Sequence, residues 1–229
     1  MTSGELTRRI HDGRLVKICG LREPEQAAAA ASAGADLIGF ILAPSRRQIT
    51  PEQARACIDA ARREARQTIL AVGIVVDSTA PEVIDAIARS GVDLMQLHGS
   101  EPSEFPSLLP VPTLRAFSPV PAATLATEHD RITAALDVDV PPVAIVVDGY
   151  HPGGSGGAGV RADWALASAL AKNFPLILAG GLDPSNVADA IRTVRPLGVD
   201  VSSGVEVDGA KSVDRIAEFV ANARAAFAD

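Results

Sequence analysis

Aromatic residues make up only 3% of this chain of 229 residues, with one tryptophan and one tyrosine. Single-stranded nucleic acids are commonly bound by stacking on aromatic rings, so a stacking platform is not expected. Basic residues are also in the minority, since 21 Lys and Arg stand against 28 Asp and Glu, which gives a formal net charge of −7. That balance argues against binding to nucleic acid or to an anionic membrane, because both need clustered basic charge.

Cysteine is equally scarce. Cys19 and Cys57 do not form a disulfide framework, and no CxxC or Cys/His cluster indicates a metal site. The polar first residues lack the apolar centre of a secretory signal, and no apolar run reaches the ~18 residues of a membrane helix. We therefore expect a cytoplasmic protein that holds no metal.

Short apolar runs alternate with Ala-rich amphipathic segments along most of the chain. Some of these runs, such as ILAVGIVV at residues 69–76, show no polar alternation, which is typical of parallel strands buried on both faces. The candidate strands are Leu15–Cys19, Leu37–Leu42, Thr68–Val76, Leu94–His98, Thr113–Phe117, Val143–Asp148, Leu176–Ala179 and Val199–Ser202. The candidate helices are Glu23–Ala33, Pro51–Glu64, Ala80–Ser90, Glu101–Leu109, Ala122–Leu136, Asp163–Asn173, Pro184–Val194 and Val213–Ala226.

Eight strand–helix units in about 215 residues predict an α/β fold, a (β/α)8 TIM barrel. A doubly wound open sheet is the competing interpretation. No linker-like segment or shift in composition divides the chain, so the sequence predicts a single barrel domain at residues 15–229, preceded by a polar N-terminal extension at residues 1–14.

In such a barrel the loops that follow the strands form the open mouth, so functional residues are expected where strands end. The small or polar residues at the ends of candidate strands are Cys19, Gln96, His98, Asp148, Gly180, Gly181, Ser202, Ser203 and Gly204. This rule selects a candidate site before any resemblance is considered.

Cys19 and Asp148 are the candidates for acid–base chemistry. A lone cysteine at a strand end is commonly a small buried hydrophobe, whereas a base or nucleophile needs a thiolate whose pKa is lowered by a nearby cation. Lys17 lies two residues earlier on the same side of the strand and is the candidate for that cation. Asp148 either caps a loop or serves as a general acid, which at neutral pH requires a raised pKa.

The ends of the last two candidate strands, Gly180-Gly181 and Ser202-Ser203-Gly204, suggest a phosphate site. Glycine lets backbone N–H groups approach an anion closely, and in barrels the phosphate usually lies at the last two strands. The alternative is a pair of ordinary glycine turns.

Arg46 and Arg47 follow the second strand. They are either solvated surface charges or a guanidinium site that binds a substrate carboxylate at two points. For His98 we favour a position lining the site, or a hydrogen bond within the core, over a catalytic role.

The residues Gly154–Gly159 read GSGGAG and formally match a dinucleotide-binding pattern. That pattern should follow a strand directly and open into a helix, whereas this tract begins several residues after Asp148. A mobile lid over the barrel mouth fits the Gly153–Gly159 segment better.

Several motifs together resemble the phosphoribosylanthranilate isomerase family of tryptophan biosynthesis. They span Leu15 to the C-terminus in register: Lys17-Ile18-Cys19-Gly20-Leu21, Gly34-Ala35-Asp36, Gly39-Phe40, Gln96-Leu97-His98-Gly99, Asp148, Gly153-Gly154-Ser155-Gly156, Asp163-Trp164, Ala179-Gly180-Gly181-Leu182, Asn186-Val187 and, most specific of all, Gly198-Val199-Asp200-Val201-Ser202-Ser203-Gly204-Val205-Glu206. The resemblance implies a barrel that catalyses an Amadori rearrangement without a cofactor. N-(5′-phosphoribosyl)anthranilate would become 1-(2-carboxyphenylamino)-1-deoxyribulose 5-phosphate.

The resemblance also implies a role for each matching residue. Cys19 would be the general base, Asp148 the general acid, and Arg47 the residue that binds the anthranilate carboxylate. The phosphate-binding residues implied are Gly180, Gly181, Ser202, Ser203 and Gly204, and the other residues expected at the substrate site are Gln96, His98 and Asp200. The chain departs from the family at Arg22, where Thr is usual, and around the Gly-rich tract, where Ala162 replaces the usual Phe.

Three alternatives remain to be compared with this interpretation. A histidine-pathway phosphoribosyl isomerase should carry a carboxylate at the position of Cys19, and an NAD-dependent oxidoreductase should place a strand directly before GSGGAG. A non-catalytic phosphosugar-binding barrel would tolerate loss of Cys19 or Asp148, yet both are present. The expected partner is the small phosphosugar–anthranilate substrate, with no nucleic acid and no membrane, and the chain is expected to be a monomer or a homodimer.

Overall fold

The computed structural model describes residues 3–150 and 160–229, and in this part of the chain eight parallel strands close into a barrel. The strands are β1 (Leu15–Cys19), β2 (Leu37–Ile41), β3 (Leu70–Val75), β4 (Leu94–Leu97), β5 (Thr113–Phe117), β6 (Ala144–Val147), β7 (Leu176–Leu178) and β8 (Gly198–Val201). Each strand pairs with the next in sequence, and β8 pairs with β1 through the register Lys17↔Asp200, which closes the barrel. The predicted TIM barrel is confirmed, and the open doubly wound sheet is excluded.

Helices surround the barrel. They are α1 (Ser3–His11), α2 (Pro24–Ala33), α3 (Pro51–Glu64), α4 (Ala80–Ser90), α5 (Leu125–Leu136), α6 (Trp164–Leu170), α7 (Val187–Val194) and α8 (Val213–Ala228). Their starts follow from the sequence: Thr50 caps α3 through a reciprocal capping box with Gln53, and Pro51 occupies the first turn, where its missing N–H is not needed.

The unbroken apolar runs are explained by burial on both faces of the sheet. Along β1, Leu15 and Cys19 point into the barrel interior, while Val16 and Ile18 pack between the sheet and the helices. Lys17 stands between Val16 and Ile18 in the strand, so its side chain points to the barrel interior, as do those of Leu15 and Cys19. A polar side chain therefore lies inside the barrel, below the residue that ends the strand.

The N-terminal segment forms α1 and packs on the barrel floor. Leu6 and Ile10 are buried in the same cluster as Leu15, Leu37 and Leu70, the first residues of their strands. Since the strands run away from this end, α1 lies opposite the mouth that carries the candidate site.

The predicted helix Glu101–Leu109 is wrong. Only a short 3-10 helix, Phe105–Leu108, connects β4 to β5. Pro106 lies inside this segment and removes a backbone donor there, so the segment does not propagate an α-helix.

The predicted lid, Gly153–Gly159, lies outside the described residues. Within the described part of the chain, no helix combines the length and apolar character needed to cross a bilayer. Across residues 3–150 and 160–229, no three His, Cys, Asp or Glu side chains are grouped so that they could hold a metal ion together.

Candidate active site

A cavity of about 780 Å³ opens at the carboxyl ends of the strands. Ten of the eleven site residues predicted from the sequence line it, and they are Cys19, Arg47, Gln96, His98, Asp148, Gly180, Gly181, Asp200, Ser202 and Ser203. The fold thus brings together residues up to 184 positions apart in sequence, from Cys19 to Ser203.

Gly204 is the exception, since it is not among the residues that line this cavity. A Cβ atom at Gly204 would lie 1.9 Å from the carbonyl oxygen of Leu182, so glycine is required where the loops after β7 and β8 touch. Its own carbonyl accepts hydrogen bonds from Nε and Nη2 of Arg215, at 3.1 and 2.9 Å. In this structure Gly204 shapes the loop beside the cavity.

Cys19 ends β1 and is only 7% exposed. Burial raises the pKa of its thiol, Lys17 is the largest influence in the opposite direction, and Asp200 raises it again. The sequence interpretation required a thiol whose pKa is lowered by a cation. Lys17 is the predicted cation, but the effect of burial on the Cys19 pKa outweighs the effect of Lys17.

Lys17 is completely buried and makes a short ion pair across the barrel closure. Its Nζ lies 2.6 Å from Asp200 Oδ2 and 2.9 Å from Gln96 Oε1. Burial alone would lower the pKa of Lys17, but Asp200 and Cys19 raise it, and the net direction is upward. Lys17 therefore remains an ammonium ion inside the barrel.

His98 continues this polar network towards Asp148. Gln96 Nε2 lies 3.0 Å from His98 Nδ1, and His98 Nε2 lies 3.8 Å from Asp148 Oδ2. Burial and the nearby charge of Lys17 lower the pKa of His98 to about 4, so its ring is neutral at physiological pH.

Asp148 follows β6 directly and is 8% exposed. Its Oδ1 accepts a hydrogen bond from the backbone N–H of Gly149 at 2.8 Å, which orients the carboxyl group. Because β1 and β6 lie on different sides of the closed barrel, Asp148 and Cys19 face one cavity from separate strands.

The two candidate phosphate loops lie side by side at the ends of β7 and β8. Gly180 and Gly181 have φ angles of +83° and +64°, and a Cβ at Gly180 would lie 2.3 Å from the backbone nitrogen of Gly149. Ser202 and Ser203 begin the other loop and lead into a 3-10 turn, Ser203–Val205. These backbone conformations bring two loops close to one edge of the cavity.

Arg47 is 5% exposed and lines the cavity, whereas the side chain of neighbouring Arg46 is 60% exposed. Arg47 donates to both carboxylate oxygens of Glu206, from Nε at 2.6 Å and from Nη2 at 3.1 Å. Arg46 Nη2 donates to Glu206 Oε2 at 3.1 Å. Of the two arginines, Arg47 is the one positioned to meet a ligand in the cavity.

Sequence reasoning missed Glu206 and Lys211 as parts of this region. They face each other in a small hairpin, β9 (Glu206–Val207) and β10 (Ala210–Lys211), and Lys211 Nζ lies 3.2 Å from Glu206 Oε1. Burial lowers the pKa of Lys211 to about 8 although Glu206 raises it. The signal that could have found this hairpin is Asp208-Gly209, a typical turn pair with both φ angles positive.

The two departures from the family pattern lie at the rim. Arg22 Nη1 is 3.4 Å from the backbone carbonyl of Arg46, and Ala162 is buried, with its N–H directed at the Gly180 carbonyl at 3.4 Å. Neither contact involves Cys19 or Asp148.

Comparison with known proteins decides the family. The model of the N-(5′-phosphoribosyl)anthranilate isomerase family matches residues 16–222. The chain belongs to this family. Among curated members, the N-(5′-phosphoribosyl)anthranilate isomerase of Roseiflexus castenholzii is 45% identical over 215 residues, which covers 93% of this chain and 99% of that protein. The family member from Desulforudis audaxviator is 40% identical, over 93% of this chain and 98% of that protein.

Solved phosphoribosylanthranilate isomerase structures agree. The Thermus thermophilus enzyme superposes with a TM-score of 0.76 at 33% identity, and the Thermotoga maritima enzyme with 0.77 at 32%. Each comparison covers 92% of this chain and 98% of the other. The predicted family and its isomerase function in tryptophan biosynthesis are confirmed, and the histidine-pathway alternative is not favoured.

Proposed function

We propose that the chain converts N-(5′-phosphoribosyl)anthranilate into 1-(2-carboxyphenylamino)-1-deoxyribulose 5-phosphate, with Asp148 as general acid and Cys19 as general base. The observation that carries the proposal is that these two side chains line one cavity from separate strands, together with the glycine- and serine-containing loops after β7 and β8 and with Arg47. A family structure described as a complex with the reduced form of that product has a TM-score of 0.74 to this chain, at 31% identity.

The first step opens the furanose ring. Asp148, in its protonated form, gives a proton to the ring oxygen, and the bond between C1 and that oxygen breaks. The electron pair on the anthranilate nitrogen then forms a C1=N double bond, so the intermediate is a protonated Schiff base. Acid catalysis is needed because the leaving oxygen would otherwise depart as an alkoxide.

The second step moves a proton from carbon. The protonated Schiff base acidifies the hydrogen on C2, and the Cys19 thiolate removes it. The electrons of that C–H bond form a C1=C2 double bond, and the C=N electrons return to nitrogen. The resulting enol amine becomes the ketone when C1 gains a proton and the C2 hydroxyl loses one, so atoms and electrons balance without a cofactor.

The two charged ends of the substrate would hold it for this chemistry. The phosphate would bind at Gly180, Gly181, Ser202 and Ser203, at the positions expected for phosphate in a barrel of this type. Arg47 would bind the anthranilate carboxylate while Glu206 keeps its guanidinium oriented. Two anchors for the charged groups of the substrate would supply the proximity that a bound, oriented substrate requires.

Turnover of the proposed substrate tests the function directly. The anthranilate substrate is fluorescent and loses its emission on conversion, so purified protein should quench the signal with saturation kinetics. The histidine-pathway aminoaldose substrate, assayed in parallel, should show no comparable rate. Turnover of that substrate alone would overturn the proposal.

We also propose that the protein acts in the cytoplasm, as a monomer or a homodimer. A solved structure describes the Thermotoga maritima family member as dimeric, and that statement concerns that protein. Light scattering on the purified chain should give a mass of one or two copies of 23.6 kDa. A larger assembly would contradict this proposal.

A further inference from the structure

Lys17 places its ammonium group among polar side chains inside the barrel. An ammonium group has three donors and no acceptor. Two of them reach Asp200 Oδ2 at 2.6 Å and Gln96 Oε1 at 2.9 Å, and the charge of the group acts on Cys19, which lies two residues further along the same face of β1. One buried cation thus bonds two residues that line the cavity and lowers the pKa of the proposed base.

The direction of each hydrogen bond beyond Lys17 is fixed by this arrangement. Because Gln96 Oε1 accepts from the ammonium group, the other side of that amide, Nε2, must donate to His98 Nδ1 at 3.0 Å. His98 Nδ1 is then an acceptor, so the proton of the neutral ring lies on Nε2. That nitrogen lies 3.8 Å from Asp148 Oδ2. Lys17 therefore determines that the ring nitrogen of His98 facing the proposed acid is the one that carries the proton.

We propose that Lys17 is a positioning residue for both halves of the reaction: it supplies the counter-charge for the Cys19 thiolate and, through Gln96, fixes the His98 tautomer that faces Asp148. This inference rests on the proposed roles of Cys19 and Asp148. In the second step the ammonium group stabilises the sulfur while it holds negative charge. In the first, the His98 Nε2–H stabilises the carboxylate that Asp148 becomes once its proton has left.

Several charged groups act on Cys19 besides Lys17. Asp200 on β8 opposes thiolate formation, Lys211 on β10 favours it, and Arg47 lines the same cavity. Of these charges Lys17 has the largest effect on the Cys19 pKa. Replacing Lys17 should therefore raise the pKa of Cys19 measurably even though Lys211 remains.

A purely structural explanation of Lys17 is weaker. Barrel interiors are filled mainly by branched apolar side chains, and a buried ion pair seldom adds net stability over apolar residues of similar volume. Lys17 is 0% exposed in that position, so its charge needs another reason.

Thiol reactivity tests the first half of the proposal. The background should be Cys57→Ser, because Cys57 is the other free cysteine and lies in α3, outside the residues lining the cavity. The rate of iodoacetamide alkylation against pH reports the Cys19 thiolate. Lys17→Met should move the midpoint up by about 1–3 pH units. Gln96→Met, which leaves Lys17 and its ion pair with Asp200 in place, should leave that midpoint unchanged.

Imidazole 15N chemical shifts test the second half. The His98 signal, assigned by its loss in His98→Asn, should show a proton on Nε2 in the wild type. In both Lys17→Met and Gln96→Met, His98 should populate both tautomers, because each change removes a hydrogen bond of the series that runs from Lys17 through Gln96 to His98. A proton on Nδ1 in the wild type, or an unchanged tautomer in both variants, would overturn this half.

Kinetics and folding controls complete the test. Lys17→Met should lower kcat by about 100-fold, within the range of acid–base contributions, while KM changes little. If the single variant does not fold, Lys17→Met/Asp200→Asn removes both charges and should still move the alkylation midpoint upward. An unmoved midpoint in a folded variant would make Lys17 merely structural. Because alkylation and tautomer are measured without turnover, their failure is distinguishable from failure of the proposed function.

Discussion

Arg47 Nε lies 2.6 Å from Glu206 Oε1, and Arg47 Nη2 lies 3.1 Å from Glu206 Oε2. The guanidinium group proposed to bind the substrate carboxylate is thus held in a fixed plane by a carboxylate of the protein. Such bidentate pairs provide geometric precision as well as attraction.

Arg47→Ala should raise KM about 10- to 100-fold with a small effect on kcat, because a hydrogen bond to a charged group contributes about 1.5–3 kcal/mol. Arg46→Ala is the matched control, since Arg46 is largely exposed and its ion pair with Glu206 should contribute little. Steady-state kinetics with the anthranilate substrate provides the measurement. An unchanged KM in Arg47→Ala, with a raised KM in Arg46→Ala, would reverse the assignment.

Cys19→Ala and Asp148→Asn should each lower kcat by at least about 100-fold, because each removes a group proposed to transfer a proton. Both residues lie at strand ends and line the cavity, so neither change removes a strand of the barrel. Circular dichroism should match the wild type. Substantial turnover by either folded variant would remove that residue from the acid–base pair.

Protonation of His98 should destabilise the fold in acid. Its pKa is about 4 in the folded protein and about 6.5 when unfolded, so its contribution is complete above pH 6.5. As pH falls through 6.5 towards 4, the unfolded chain gains this proton first, and about 3 kcal/mol of the free energy of unfolding is lost.

Denaturant titrations at pH 7 and pH 4.5 check this prediction. His98→Asn should show a smaller loss between the two pH values than the wild type, while the half-exposed His129, changed to Asn, serves as a control that keeps the full loss. Equal losses in wild type and His98→Asn would contradict the buried neutral state of His98.

Gly180→Ala should weaken phosphate binding and destabilise the protein by more than about 1 kcal/mol. Its φ is +83°, and the added methyl group would lie 2.3 Å from the Gly149 nitrogen. Competitive inhibition by inorganic phosphate measures the first effect and thermal unfolding the second. At Gly4, in α1, a Cβ would have no neighbour within 4 Å, so Gly4→Ala should leave phosphate binding unchanged and should not lower the stability.

Ile10→Ala should lower the free energy of unfolding by about 2–5 kcal/mol and leave kcat unchanged. Ile10 is 0% exposed in a cluster with Leu15 and Leu37 at the barrel floor, away from the cavity. The exposed Arg8 on the same helix is a control, because Arg8→Ala should cost less than about 0.5 kcal/mol. A large change in kcat for Ile10→Ala would contradict this prediction, because it would show that packing at the barrel floor affects catalysis.

The barrel could be predicted because strands that are buried on both faces of a sheet have apolar residues without polar alternation, as in β3 and β6. The position of the cavity followed from the rule that strand ends form the mouth. The predicted helix Glu101–Leu109 failed because Pro106, inside the segment, removes a backbone donor, and only a short 3-10 helix forms.

Other parts of the site depend on contacts that no local pattern encodes. The link between Lys17 and Gln96 joins residues 79 positions apart, and the link between Arg47 and Glu206 joins residues 159 apart. The pKa of Cys19 is a balance between burial and charges from β1, β8 and β10, so its direction needed the assembled barrel.

The buried polar set of Lys17, Gln96 and Asp200 has a consequence for protein engineering. Three interior positions that apolar side chains would otherwise fill are occupied by an ammonium ion, an amide and a carboxylate. Replacing such groups with well-packed hydrophobic residues often makes a protein more heat-resistant. If Lys17 has the role proposed above, that gain would come with a loss of catalytic rate, so thermostabilising substitutions in this barrel should begin at its floor and leave these three residues unchanged.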